Sequence, residues 1–207
     1  NVTLRPRQPG SSIKIVNYAY ALSHEYTPAT ILDDSPVTFA VPGQPAYSPK
    51  NYDSAYRGSL PVRSALAESR NIPAVKVLAS YGVTKMIEQG QKMGITTWDD
   101  PSKFGLSLTL GGGEVKLIDL AKVYATIANY GARPEMVSIL RITNYKGKVL
   151  EEYSCLRNNF LTTAQTAEAA KNACDWEEVL DPRVAYLLID ILKDNQARAP
   201  AFGSSSY

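Results

Sequence analysis

Between Thr27 and Ser59 stand Pro28, Pro36, Pro42, Pro45 and Pro49, set among Asp, Tyr and Ser. Proline has no backbone N–H and a fixed φ, so neither a helix interior nor a central strand runs easily through such a stretch. A long irregular connection is expected there, of the kind that is functional or packed by its own side chains. Helical patterns flank it. Ile13, Val16, Ala19, Tyr20 and Leu22 recur at helical spacing, which predicts a helix from Ser11 to about Ser23. Helical pattern returns at Leu60-Pro61-Val62, with proline near the first helical position, and breaks at Ser69-Arg70-Asn71. It resumes after Pro73 and runs to Gly82, and a further helix is predicted from Thr84 to Met93.

Downstream, Gly111-Gly112-Gly113 reads as a tight turn leading into a periodic helix with Leu117, Leu120, Val123, Tyr124, Ile127 and Ala128, closed by Gly131. The glycines lack the spacing of a phosphate-binding loop. Val137–Asn144 and Lys148–Tyr153, joined around Gly147, predict a β-hairpin. Residues 154–180 are helical in part by pattern, and Asp181-Pro182 caps a helix bearing Val184, Leu187, Leu188, Ile191 and Leu192. From Gln196 the sequence thins into Ala, Pro and Ser. The fold class expected is α+β, mainly helical, with the hairpin near 137–153. Tyr20, Leu66, Val77, Leu120, Tyr124 and Leu188 lie on apolar stripes and are expected to be buried.

The 207 residues suffice for one sizeable domain or two small ones, and 44% apolar residues argue against general disorder. A net charge of +2 without a dense basic cluster gives no electrostatic case for nucleic acid. No apolar run approaches the roughly 18 residues of a membrane span, and Asn1-Val2-Thr3-Leu4-Arg5 is not a signal peptide, so any membrane anchor is expected outside this chain. Cys155 and Cys174 with a single histidine are too few for a structural zinc site, and neither a metal nor a cofactor is expected. The two thiols could form one bridge worth about 3 kcal/mol or remain free. His24, if on the helix that begins at Ser11, lies about 20 Å from that serine, at roughly 1.5 Å per residue, which disfavours a Ser-His triad.

Chemistry enters with Ser11-Ser12-Ile13-Lys14, which follows Pro9-Gly10. A serine hydroxyl is a poor nucleophile until a base takes its proton, and a lysine amine three residues on can be that base. Positions i and i+3 share a helix face, and free N–H groups at a helix start favour an oxyanion. Gly-Ser-Ser ahead of a helix is also an ordinary N-cap. Ser12 rivals Ser11 as nucleophile but has no lysine three residues on. The second element is Ser69-Arg70-Asn71. A second hydroxyl could relay a proton, and a carboxamide offers a substrate amide both donor and acceptor; the simpler reading is that these residues only cap helices.

Four runs carry a resemblance: RQPGSSIK at 7–14, SPKNYDSAYRGSLPVRSALAESRNIPAVKV at 48–77, LTLGGGEVKLIDLAKVYATIANYGARP at 108–134 and RVAYLLIDILKDN at 183–195. In this order the chain resembles the transpeptidase domain of bifunctional (class A) penicillin-binding proteins, which share their fold with serine β-lactamases. The resemblance implies that Ser11 is the acylated nucleophile, Lys14 its base, Ser69 a proton relay and Asn71 a holder of the substrate backbone. It implies a D,D-transpeptidase that attacks the terminal D-Ala–D-Ala bond of a peptidoglycan stem peptide, passes the acyl group to an amine and is inhibited by β-lactams. Such a domain lies outside the cytoplasm, with a glycosyltransferase domain upstream in the parent protein. The family's third motif, Lys-Thr/Ser-Gly, is absent from these residues, so 1–207 is expected to be a partial domain lacking the strands that carry it, with little activity alone. A D,D-carboxypeptidase or β-lactamase-like hydrolase would use the same serine and lysine and give the acyl group to water. A non-catalytic module binding muropeptides, β-lactams or a partner would keep only the scaffold.

Overall fold

The computed structural model describes residues 1–40, 43, 45–153 and 176–205. Cys155, Cys174 and most of the partly helical stretch expected at 154–180 lie outside the described residues. Two compact units are present, residues 134–177 in one and the rest in the other.

The larger unit is organised around helix α1 (Lys14–Leu22), which follows a 3-10 turn at Gly10–Ile13. Eight of its nine residues are buried, so α1 is a central helix with no solvent face and its polar residues need partners. Asn17 finds them: its amide nitrogen donates to the Ala74 carbonyl at 2.8 Å and to Thr109 Oγ1 at 2.7 Å, and its oxygen accepts from the Tyr81 hydroxyl. Around α1 stand α2 (Val62–Ala67), α3 (Asn71–Tyr81), α4 (Val83–Lys92), α5 (Leu117–Ala128) and α6 (Pro182–Leu192), followed by α7 (Asn195–Phe202). Ile13, Val16, Val62, Leu78, Met86, Trp98, Val123 and Leu188 form the centre of the core.

The proline-rich connection is not wholly irregular. Strand β1 (Ile31–Asp34) pairs antiparallel with β2 (Gly58–Pro61) in the register Ile31↔Pro61 to Asp34↔Gly58. Leu32 and Leu60 are cross-strand partners that both face the core. Leu60 and Pro61 are therefore strand, not helix; α2 begins at Val62, whose N–H and that of Arg63 donate to the Thr30 and Pro28 carbonyls. Three further boundaries differ from expectation. Helix α3 starts at Asn71, before Pro73, because a proline in the first turn removes an N–H that has no intrahelical acceptor. The glycines at 111–113 follow a 3-10 helix (Leu106–Leu110) and do not open α5 directly. Residues 195–202 form α7 with Pro200 inside it, held at its start by Asp194, which accepts from Ala197 N.

Leu66, Val77 and Leu188 are buried as expected, whereas Tyr20 and Leu120 are only half-buried and Tyr124 is 38% exposed. Tyr124 sits on the edge of the α5 stripe, where its hydroxyl reaches a polar partner described below.

The two-residue strand β3 (Ala132–Arg133) belongs to the larger unit; in the smaller unit, β4 (Arg141–Thr143) and β5 (Val149–Glu152) form the expected hairpin. The turn is built by Asn144, whose side-chain oxygen accepts from Lys146 N and Lys148 N, and by Gly147 at φ +79°.

Candidate active site

Lys14 is the only lysine among the described residues that is fully buried, and the sequence around it explains why the amine is tolerated. Its Nζ donates to the Ser69 carbonyl at 2.6 Å, to Asn71 Oδ1 at 2.7 Å and to Ser69 Oγ at 3.1 Å. All three acceptors come from one tripeptide more than fifty residues away. Burial, and after it the positive charge of Arg70, lowers the Lys14 pKa to about 7, so neutral amine is abundant near neutral pH.

That tripeptide is a helix terminus of a defined kind. Ser69 N donates to Leu66 O and Arg70 N to Ala65 O, the paired bonds that close a helix with a left-handed residue between them. The left-handed residue is Ser69, at φ +56°, where glycine is usual. The hydroxyl is thus presented from a strained position whose backbone carbonyl also turns to Lys14. Ser69, Arg70 and Asn71 thus end one helix and begin the next, and Ser69 and Asn71 face the Lys14 amine.

Ser11 is exposed, in the 3-10 turn ahead of α1. It does not meet Lys14 through a shared α-helical face as the spacing predicts, because the buried amine is engaged by the 69–71 turn. Instead Ser11 lines a cavity of about 250 Å³ with Lys14, Ser69 and Tyr124, and an adjoining one of about 500 Å³ with Asn51, Ser69, Arg70 and Asn71. Of the four residues singled out from sequence, Ser11, Lys14 and Ser69 therefore border the first cavity, and Ser11, Ser69 and Asn71 the second. Ser12 is occupied: its Oγ donates to the Pro9 carbonyl at 2.6 Å, and its own carbonyl accepts from Tyr124 Oη at 2.9 Å.

The Ser11 turn is fixed by backbone contacts. Arg7 and Val115 exchange two N–H···O bonds of 2.9 Å, and a Cβ on Gly111 would stand 2.4 Å from Gly10 N. Gly111, at φ +96°, is thus needed both for its conformation and for the close approach. Phe202 and Pro200 of α7 complete the cleft wall. Sequence reasoning missed Tyr124 and Asn51, which line the cavities, and Gly111, which fixes the Ser11 turn. For Gly111 the triple glycine was a signal of close backbone approach; for Tyr124 the hydroxyl at the edge of an apolar stripe was one.

The family profile described as the penicillin binding protein transpeptidase domain matches residues 2–173. Penicillin-binding protein 1A of Neisseria cinerea is 32% identical over 192 residues, covering 91% of this chain and 22% of that protein. Its counterpart in Rickettsia conorii is 34% identical over 162 residues, covering 76% and 20%. The chain thus spans about a fifth of the length of the curated relatives it matches. Among solved structures, penicillin-binding protein 1A from Haemophilus influenzae matches with a TM-score of 0.79 and 27% identity over 95% of this chain and 31% of that one. Penicillin-binding protein A from Mycobacterium tuberculosis, solved as a ceftriaxone acyl-enzyme complex, shares the fold at a TM-score of 0.69 and 20% identity, over 92% of this chain and 43% of its own.

Proposed function

The chain belongs to the penicillin-binding protein transpeptidase family, and from that premise we propose that residues 1–207 are part of a peptidoglycan D,D-transpeptidase domain with Ser11 as nucleophile. The observation that carries this reading is the buried Lys14 amine, lowered to about pKa 7, held by Ser69 and Asn71 and lining the same cavity as the exposed Ser11.

A neutral amine has two N–H groups and one lone pair. The Ser69 carbonyl and Asn71 Oδ1 can only accept, so they take the two N–H groups. The lone pair is then left for a hydroxyl: that of Ser69 stands 3.1 Å away, and that of Ser11, which lines the same cavity, is assigned as the one that gives up its proton. Lys14 takes the Ser11 proton as Oγ bonds to the carbonyl carbon of the penultimate D-Ala. The C–N bond to the terminal D-Ala breaks, Ser69 passes its proton to the leaving nitrogen and takes in its place the one Lys14 received from Ser11, and an acyl ester remains on Ser11. An acceptor amine from a neighbouring strand attacks that ester, leaves with the acyl group and returns the Ser11 hydroxyl. A β-lactam follows the first half of this course, its ring amide opening, and stays attached. Asn71 keeps the substrate backbone aligned. The Ser12 hydroxyl is engaged by its own turn, which favours Ser11. The domain acts on the outer face of the cytoplasmic membrane, in a longer protein that supplies the anchor, a glycosyltransferase domain and a Lys-Thr/Ser-Gly strand.

The test is mass spectrometry after treatment with a labelled penicillin. In a longer protein carrying this chain and that strand, the adduct is expected on Ser11, abolished by Ser11→Ala and largely retained in Ser12→Ala. In the 207 residues alone labelling is expected to be about 10²–10³-fold slower, the usual cost of one missing oxyanion donor. An adduct on Ser12 would overturn the assignment.

A further inference from the structure

Ser69 and Asn71 can orient Lys14 only if their own turn is held, and neither the Ser69 backbone conformation nor the start of α3 is self-sustaining. Ser69 is left-handed without being glycine, a conformation that costs roughly 1–2 kcal/mol. The N-cap position of α3 is Arg70, whose side chain makes no capping bond. The missing cap comes from Asn51, twenty residues upstream: its Oδ1 accepts from Asn71 N at 3.0 Å and Ile72 N at 3.2 Å. Asn51 is itself 4% exposed.

Both Asn51 and Arg70 are anchored on one carboxylate. Asp34, at the end of β1 and fully buried, accepts from Asn51 Nδ2 at 2.7 Å through Oδ1. Through Oδ2 it accepts from Arg70 Nε at 2.9 Å and the Arg57 N–H at 3.0 Å, with Arg70 Nη2 also 2.8 Å away. Arg70 is 4% exposed and spends its remaining donors on Asp53 Oδ2 at 2.8 Å and the Ala55 carbonyl. An ion pair this deeply buried is poor value for stability alone, since apolar side chains of the same volume would do as well. Its directional bonds, however, define the angle at which a turn is presented, which apolar packing does not.

We propose that Asp34, Asn51 and Arg70 are positioning residues of the acyl-transfer site, holding Ser69 and Asn71 in the one arrangement that turns the Lys14 lone pair toward the Ser11 hydroxyl. The proposal rests on the acyl-transfer reading above. None of the three is required to touch substrate. The Arg70 charge has a second, separable effect, since it lies close enough to Lys14 to disfavour its protonation. The other charged groups lining the cleft are Asp53 and Glu68 beside Arg70 and Arg198 beside Lys14. They are common to all the variants below, so differences among those variants report on Arg70 and Asp34.

The experiment compares Arg70→Met, Arg70→Lys and Asp34→Asn with the unaltered longer protein, each checked for folding by thermal denaturation. Labelled-penicillin kinetics are resolved into the dissociation constant of the initial complex and the first-order acylation step. The Lys14 amine is titrated in parallel by NMR of the lysine side chain. Displacing a catalytic group by about 1 Å can cost on the order of 10²-fold. A fall of that order in the acylation step is expected in all three, with the dissociation constant changed less than about threefold. The Lys14 midpoint should rise above about 7 in Arg70→Met and move less in Arg70→Lys, which keeps the charge but loses the forked contacts. An acylation step within about twofold of the unaltered protein in any folded variant would overturn the proposal. If Asp34→Asn fails to fold, the two Arg70 variants carry the test. If the unaltered protein is not acylated at all, the acyl-transfer reading fails by itself; backbone amide signals of Ser69 and Asn71 left unmoved in all three folded variants would then overturn the positioning role independently.

Discussion

The turn bearing Ser11 and the turn bearing Ser69 line the same cavity as the Lys14 amine, yet backbone contacts dominate around the first and side chains around the second. Around Ser11 the contacts are the Arg7–Val115 bridge, the approach of Gly111 to Gly10, and hydroxyls of Ser12 and Tyr124 on main-chain carbonyls. Around Ser69 they are the buried Asp34 carboxylate of β1, the Asn51 carboxamide of the following loop and the guanidinium of Arg70 in the turn itself. A backbone-held turn tolerates side-chain changes but no added bulk at its contact. A side-chain-held turn fails when one partner is removed, because the others are left buried without their bonds. The difference suits the roles proposed: an exposed Ser11 that must be reached by substrate, and a Ser69 turn that must keep an amine buried.

Gly111→Ala should strike the first turn hardest. Its Cβ would overlap Gly10 N and force a left-handed residue, costing about 3 kcal/mol and displacing Ser11. Thermal denaturation together with penicillin labelling checks this, and a stable, fully reactive variant would show that the turn is not held at that contact. Tyr124→Phe is the milder probe. It removes the bond to the Ser12 carbonyl and should cost about 1 kcal/mol, with labelling reduced but present. Ser69→Gly is smallest in stability and sharpest in contrast. Relief of the left-handed strain, offset by the added freedom of glycine in the unfolded chain, should leave a gain of about 0.5 kcal/mol, while loss of the hydroxyl slows acylation. Ser69→Ala, which keeps the Cβ, should lose the activity without the gain; calorimetry of the pair distinguishes them.

Much of this was readable in the residues. The stripe of Ile13, Val16 and Ala19 marked α1, Asp181-Pro182 marked the start of α6, and Asn144 to Gly147 marked the hairpin. Lys14, Ser69 and Asn71 stand out in short motifs, but the contacts that join them span more than fifty positions. Strand β1 is hidden because Ile31-Leu32-Asp33-Asp34 has no apolar–polar alternation: Ile31 is exposed and Asp34 buried, inside a proline-rich stretch. Helix α7 was hidden by Pro200. The bonds that matter most to the Ser69 turn join Asp34, Asn51 and Arg70 across 17 to 36 positions, and no local periodicity encodes such separations. Tyr124 was misjudged because helical spacing assigns a face and not the depth of its edge. The meeting of Ser11 and Lys14 was expected from spacing within one helix, whereas the amine turns to a distant turn that satisfies it better.

The central claim is that Lys14 acts as a neutral base, and the pH dependence of the first-order acylation step tests it most directly. Below its pKa the amine is protonated and has no lone pair for the Ser11 proton, so the rate should fall as pH drops and rise toward a plateau above a midpoint of about 7. That midpoint lies well under the ordinary lysine value because burial, and then Arg70, disfavour the charged form. A longer protein carrying this chain should show this profile for a labelled penicillin, with Lys14 titrating at the same midpoint by NMR. A rate independent of pH across that range, or one still climbing near pH 10, would contradict the account.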